Sequence, residues 1–290
     1  MSGLALLGLA ITIGSEAATL ARIEPFWSWN TPIAWTGFLI FADAIAYRAR
    51  GNSWIRSSPR EFIALALVSI PLWLVFEWFN LFLRNWHYVG LPENAALRYF
   101  GYAWSFATIW PAMFLAAELI AVWRGKALPA PLALPALPAL PALSIAVGAF
   151  MLALPFLAPG IAMYLAAPVW LGFIFLLDPI NARLGGESLL LDWRAGRFDR
   201  TINLIGSGFF CGLLWEFWNY WSRSKWHYTV PIMENLKIFE MPVPGYLGFP
   251  AFALECFTMY VFVRLLWVRP WVRGIVKPGT MDVLGRPIAL

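Results

Sequence analysis

Apolar stretches of about 20 residues, separated by short polar segments, recur along the whole chain; that is the length a helix needs to cross a hydrocarbon layer. The pattern places spans at about 3–22, 32–49, 62–83, 100–122, 142–158, 161–180, 201–222 and 247–268. Stretches of about ten residues with alternating polarity, the mark of a membrane barrel, do not occur in it. The expected fold is therefore all-α, a polytopic membrane helical bundle of about eight spans. The opening "MSGLALLGLAITIG" carries no basic residue ahead of its apolar run, so it reads as the first span rather than a cleaved signal peptide.

Composition agrees. The chain is 61% hydrophobic and 13% charged, about half the charged share of a soluble domain. Its net charge of +5 does not imply nucleic-acid binding, because the eight spans sort the basic residues by side. Arg48, Arg50, Arg56, Arg60, Arg124, Lys126, Arg183, Arg194, Arg197, Arg200, Arg264, Arg269, Arg273, Lys277 and Arg286 fall on one side. Arg22, Arg84, Arg98, Arg223, Lys225 and Lys237 fall on the other. The positive-inside rule puts the richer side, and with it both termini, in the cytoplasm of a cell-membrane protein. Cys211 and Cys256 lie in apolar stretches and read as small buried hydrophobes.

Residues 127–144, "ALPAPLALPALPALPALS", have proline too often for a regular helix and read as a stiff tether. They divide the chain into a first four-helix membrane repeat (1–126) and a second (145–290) with a basic cytoplasmic tail. The division rests on a duplication. Trp35, Gly37, Phe38, Asp43, Ile45, Arg48, Gly51 and Ser53 align without gaps with Trp170, Gly172, Phe173, Asp178, Ile180, Arg183, Gly186 and Ser188. "FEWFNLFLRNWHY" (76–88) answers "WEFWNYWSRSKWHY" (215–228), "PEN" at 92–94 answers "PIMEN" at 231–235, and "GY" at 101–102 answers "GY" at 245–246. Four spans per copy, an even number, means that both copies enter the membrane the same way round, as parallel repeats.

Within the duplicated stretch, Glu77, Asn80 and Arg84 are spaced i, i+3, i+7 and share a helix face, as do Glu216, Asn219 and Arg223. Ionisable groups in a span are costly and face a partner or a cavity. One reading joins the two halves through hydrogen bonds and a buried ion pair. The other is chemical. A carboxyl group surrounded by aromatic side chains keeps its proton more readily than one in water, which fits it for general acid catalysis. Rings such as Trp78 and Trp218 would then line a substrate site and steady a cation. His87 and His227, the two histidines of the chain, follow spans 3 and 7. They read as part of an interfacial aromatic belt, as a proton relay, or as a haem or metal pair. No cofactor or metal is expected otherwise.

Asp43 and Asp178, each five residues before an arginine, read as span-end acids that snorkel or form salt bridges. Glu16, Glu118 and Glu255 are further intramembrane acids, and Glu255 is placed to reach the Glu216 cluster. No P-loop, Rossmann turn, nucleophile elbow or HExxH helix occurs in the sequence.

At "WHY…G…P…E" and the paired "FEWFN" and "WEFWN", the chain resembles integral-membrane isoprenoid cyclases, namely the lycopene-cyclase-type domains and the fungal meroterpenoid cyclases. The likeness covers short stretches within 77–118 and 216–255. It departs where lycopene-cyclase-type domains carry P-x-E-E, since here Pro250 precedes Glu255 by five residues with no second acid. The resemblance implies intramembrane carboxyl groups that protonate an alkene or epoxide, with Glu77 and Glu216 as those acids.

The expected function is a membrane-embedded enzyme acting on a lipophilic, isoprenoid-like molecule by carboxylic-acid catalysis in an aromatic cavity. Glu77, Glu216, Asn80, Asn219 and Glu255 are its candidate catalytic residues. Trp78, Trp218, Arg84, Arg223, His87 and His227 are candidates for substrate contact. The expected partners are the lipid bilayer and that lipophilic molecule. A small-molecule or ion transporter with its site at the repeat interface, and a haem- or pigment-binding subunit, are the alternatives.

Overall fold

A computed structural model describes residues 2–125, 135 and 137–268. Most of the tether, Lys126 and the basic residues beyond 268 lie outside them. The chain is helical: α1 (Gly3–Leu20), α2 (Phe26–Arg50), the short α3 (Trp54–Ser57), α4 (Pro59–Leu83), α5 (Ala95–Ala107), α6 (Ile109–Arg124), α7 (Leu140–Leu157), α8 (Ala166–Arg183), the short α9 (Leu189–Arg194), α10 (Asp199–Trp221) and α11 (Gly248–Val263). Among the described residues, five segments are long and apolar enough to cross a membrane: Gly3–Leu20, Pro59–Leu83, Ala95–Arg124, Leu140–Leu157 and Val243–Trp267. The remaining long helices, α2, α8 and α10, bury polar residues such as Asn30, Asn181 and Asn219, so their composition is less apolar although they pack at the centre.

The outermost helices have the surface expected of lipid contact. α1 buries only Ala5, Gly8, Ser15 and Thr19, and α7 only Gly148 and Pro155, while Leu6, Ile13, Leu143 and Phe150 stand exposed. An apolar surface of this extent is abnormal in water and ordinary in a bilayer.

Each outer helix crosses its neighbour at a glycine pair. A Cβ on Gly8 would strike the backbone of Gly37 and Phe41 in α2, and one on Gly148 would strike Gly172 and Leu176 in α8. Small residues at such crossings let backbones approach, which is how helices gain packing energy where lipid cancels the hydrophobic drive.

Asp43 and Asp178 also act alike, in a role that the sequence expectation did not include. Asp178 accepts hydrogen bonds from Ser188 Oγ (2.7 Å) and from the amides of Leu189 (2.7 Å) and Leu190 (2.9 Å). Asp43 accepts from the Ile55 amide at 2.8 Å and also forms the expected kind of ion pair, with Arg56 Nε 3.9 Å from its Oδ2. Each aspartate thus holds the start of a short helix, α9 or α3, whose free amides need acceptors.

The basic end of the bundle is laced by ion pairs. Arg50 meets Glu118, Arg124 meets Asp199, Arg200 meets Asp192, and Arg264 lies between Glu61 and Glu187. Next to this layer, Phe257 and Tyr260 of α11 and Phe114 of α6 fill the core.

At the opposite end, two strands far apart in sequence form an antiparallel ribbon. β1 (Trp86–Val89) pairs with β2 (Lys225–Tyr228), with Trp86 opposite Tyr228, His87 opposite His227 and Tyr88 opposite Trp226. These are the two "WHY" segments. Gly90 ends β1 at φ +64, where a Cβ would run into the Arg223 carbonyl. A smaller ladder, β3 (Lys237–Ile238) with β4 (Met241–Pro242), follows.

Candidate functional site

Alternation along a strand sends neighbouring side chains to opposite faces. In the ribbon, Trp86, Tyr88, Trp226 and Tyr228 line one wall of a cavity of about 540 Å³, a size typical of small-molecule sites. His87 and His227 do not line it. The opposite walls come from Trp73 of α4, Tyr102 and Phe106 of α5, Trp170 of α8, Trp215 of α10 and Phe252 of α11. Phe252 sits at the middle of the aromatic wall, with its ring edge-on to Trp73, Trp110 and Trp170.

Two carboxyl groups stand one hydrogen bond behind this wall. Tyr88 Oη donates to Glu77 Oε1 at 2.5 Å, and the same oxygen receives the indole N–H of Trp73 (2.8 Å) and of Trp86 (3.3 Å). Tyr228 Oη donates to Glu216 Oε1 at 2.9 Å, and Glu216 is wholly buried. Desolvation, reinforced by the carboxyl group beside each, holds both phenols well above the usual tyrosine value. They keep their protons at neutral pH.

Asn80 and Asn219 anchor the ribbon. Asn80 Nδ2 donates to the Trp86 carbonyl (2.8 Å), and its Oδ1 accepts from the Asn85 and Trp86 amides. Asn219 makes the same two-way clasp on Trp226, at 2.9 Å in both directions. Helix and strand are thereby locked at the turn that brings each tyrosine back onto its glutamate.

None of the candidate catalytic and substrate-contact residues lines the cavity, and each has a definite place elsewhere. Arg84 caps α4 in the left-handed region at φ 54 and is exposed. The helical spacing that put it on the glutamate face therefore stops at Leu83. Arg223 follows the end of α10, pairs with Glu24 (3.2 Å) and lies over Trp27. Trp78 is 50% exposed and packs on Phe82 and Phe156. Trp218 is buried against Trp35. His87 and His227 stack with ring centroids 5.9 Å apart on the ribbon's outer face, where His227 Nδ1 lies 2.8 Å from Glu240 Oε2. Glu255 is wholly buried between α11 and α8, near the Phe173 backbone rather than at Glu216. Among the described residues, no cluster of three or more His, Cys, Asp or Glu side chains is placed to hold a metal ion.

Tyr88 and Tyr228 are not among the sequence candidates, although the signal is present: both quoted words end in a tyrosine, 11 and 12 positions beyond the glutamate. Arg98, Trp73 and Asn85 also line the cavity, and none of them is matched by an identical residue in the other copy.

Fold and site together define a helical membrane protein with an aromatic chamber at one end, backed by two carboxyl–phenol pairs. Compared with known proteins, the chain matches no family model, no curated protein and no solved structure.

Proposed function

We propose that the protein is a membrane-embedded enzyme that holds a lipophilic, isoprenoid-like molecule in the aromatic chamber and moves a proton to it through the Glu77–Tyr88 and Glu216–Tyr228 pairs. The observation that carries this reading is the convergence of two carboxyl-backed phenols on one aromatic cavity of about 540 Å³. A concerted relay suits the geometry. With the carboxyl group protonated, the hydrogen bond between phenol and acid reverses: the phenol turns its O–H to an alkene carbon, the carboxyl O–H becomes the donor to the phenol oxygen, and both protons advance together, so no phenolate forms. The products are a carboxylate and a carbocation, which the π-faces of Trp73, Trp86 and Trp170 steady. Loss of a proton from the carbon next to the cation to the phenol oxygen, as the phenol passes its own proton back to the carboxylate, restores the site, so ring closure or double-bond migration needs no oxidant.

The packing at the far end favours a closed chamber over a conduit. Along α11, Phe249 and Phe252 line the cavity, and Phe257 and Tyr260 then fill the core before Arg264 meets its acids.

We also read the fold as eight spans in two parallel repeats, with both termini cytoplasmic in the cell membrane. Support comes from the matched glycine crossings, the matched aspartate caps, the matched glutamate–tyrosine pairs, and the ribbon in which identical words pair about a central His–His step.

The test combines occupancy with turnover. Gly101 lines the cavity, and a Cβ there meets nothing within 4 Å, so Gly101→Leu adds bulk at the chamber wall without straining the helix. Mass spectrometry of solvent extracts should find an apolar molecule on the wild type and lose it in Gly101→Leu. Conversion of that molecule by the purified enzyme should fall about a hundredfold or more in Glu77→Gln/Glu216→Gln, the usual worth of a general acid. An empty wild-type chamber, or unchanged conversion in the double variant, sinks the proposal.

A further inference from the structure

We infer that the molecule held in the chamber is an amphiphile with an anionic head, and that Arg98 receives the head. The inference rests on the reading of the chamber as a site for a lipophilic molecule and adds the chemistry of one end.

The charges around the cavity carry it. Among the described residues no aspartate or glutamate lines the chamber, whereas Arg98 and Lys225 do. Lys225 is already neutralised, with Nζ 2.8 Å from Glu240 Oε1. Among the described residues Arg98 has no salt-bridge and no side-chain hydrogen-bond partner, and its guanidinium lies near the Tyr99 ring with 5.7 Å to the centroid. A half-buried arginine without an acceptor is unusual, because its five N–H groups form a fork matched to carboxylate or phosphate oxygens.

Its position sharpens the case. Asn94 caps α5 by accepting from the Leu97 amide at 3.1 Å, so Arg98 stands in the first turn of a 13-residue helix. A cation there is opposed by the positive end of the helix dipole, which instead favours an anion. Leu97, Arg98, Gly101, Tyr102 and Ser105 of α5 all line the cavity. The helix therefore offers one continuous face that runs from guanidinium to aromatic floor, as a charged head with an apolar tail requires. In the register set by the two "GY" pairs, Arg98 falls opposite Pro242. The cation is confined to one copy, which gives the otherwise matched walls a direction.

The full-length protein in phosphatidylcholine nanodiscs, probed with tritiated hexadecyl phosphate and hexadecanol by scintillation proximity, tests this. A charge-assisted pair predicts that the phosphate binds about tenfold tighter or more than the alcohol. Arg98→Gln should bring the two within about twofold by weakening the phosphate alone, and Arg98→Lys should keep part of the preference. Equal binding of both probes by the wild type, or a preference untouched in Arg98→Gln, overturns the anionic head while leaving the chamber intact. Failure of both probes to bind, or binding indifferent to Gly101→Leu, overturns the chamber reading itself. Competition by dioleoyl phosphatidic acid separates the sources. Displacement assigns the site to a two-chain bilayer lipid and its absence to a single-chain molecule, and either result upholds the anionic head.

Discussion

His87 and His227 are register partners in the antiparallel ribbon, facing each other across its centre with ring centroids 5.9 Å apart. The step above and the step below them pair a tryptophan of one segment with a tyrosine of the other. One local twofold relation therefore fixes both tyrosines against the chamber and both histidines away from it.

Directly opposed strand residues have Cβ atoms close enough for a disulfide. His87→Cys/His227→Cys should oxidise in air to a cross-linked form that is two mass units lighter, and neither single variant should do so. Intact-protein mass spectrometry reads the outcome, and a reduced double variant would refute the register. Native Cys211 and Cys256 are buried and do not compete.

Asn80→Ala and Asn219→Ala should each destabilise the protein, by about 1–3 kcal/mol, because backbone groups at the strand start lose both a donor and an acceptor. Thermal unfolding in detergent should show the loss. A conservative Asn→Asp change keeps the acceptor only and should recover part of it.

Gly8→Val and Gly148→Val should lower the yield of folded protein and cost about 1–3 kcal/mol through overpacking, since a Cβ at either site meets backbone that cannot give way. Gly101→Leu is the contrast. It should leave the unfolding temperature unchanged or slightly raised, as replacing a helical glycine favours the helix.

Partial burial alone would raise the Glu240 carboxyl, but hydrogen bonds from Lys225 and His227 outweigh it and hold the group below the ordinary value of 4.5. A lowered folded-state value means stability that is present above pH 4.5 and is lost as pH falls through the folded value. Unfolding temperature should therefore drop on acidification below that point in the wild type and drop less in Glu240→Gln. Parallel curves for the two proteins would remove Glu240 as a source of acid sensitivity.

Periodicity and hydropathy made the long helices legible, together with the pairing of Glu77 with Glu216 and of Asn80 with Asn219 as matched positions. Periodicity misled at Arg84 because it assumes that the helix continues, and the backbone leaves the helical region at that residue. Aromatic character misled at Trp78, since an apolar ring is equally at home facing lipid or ligand. The ribbon was hidden for another reason. Four residues pairing with four others far along the chain leave no local signature, and a flanking tryptophan and tyrosine look the same whether they lie at a membrane interface or roof a cavity. Asp178 shows the same limit, since an acid before an arginine suggests an ion pair until the following short helix is seen to need a cap, whereas Asp43 has both the cap and an ion pair, with Arg56.

The ribbon also sets an order of events. Neither segment can satisfy its strand edge alone, and the two are joined only through the whole intervening chain, so closing them carries the loop cost of a long-range contact. The helices can find their places first. The roof of the chamber comes into being when the second segment arrives, so a nascent or truncated chain would present an open, aromatic bowl to the lipid and hold nothing in it.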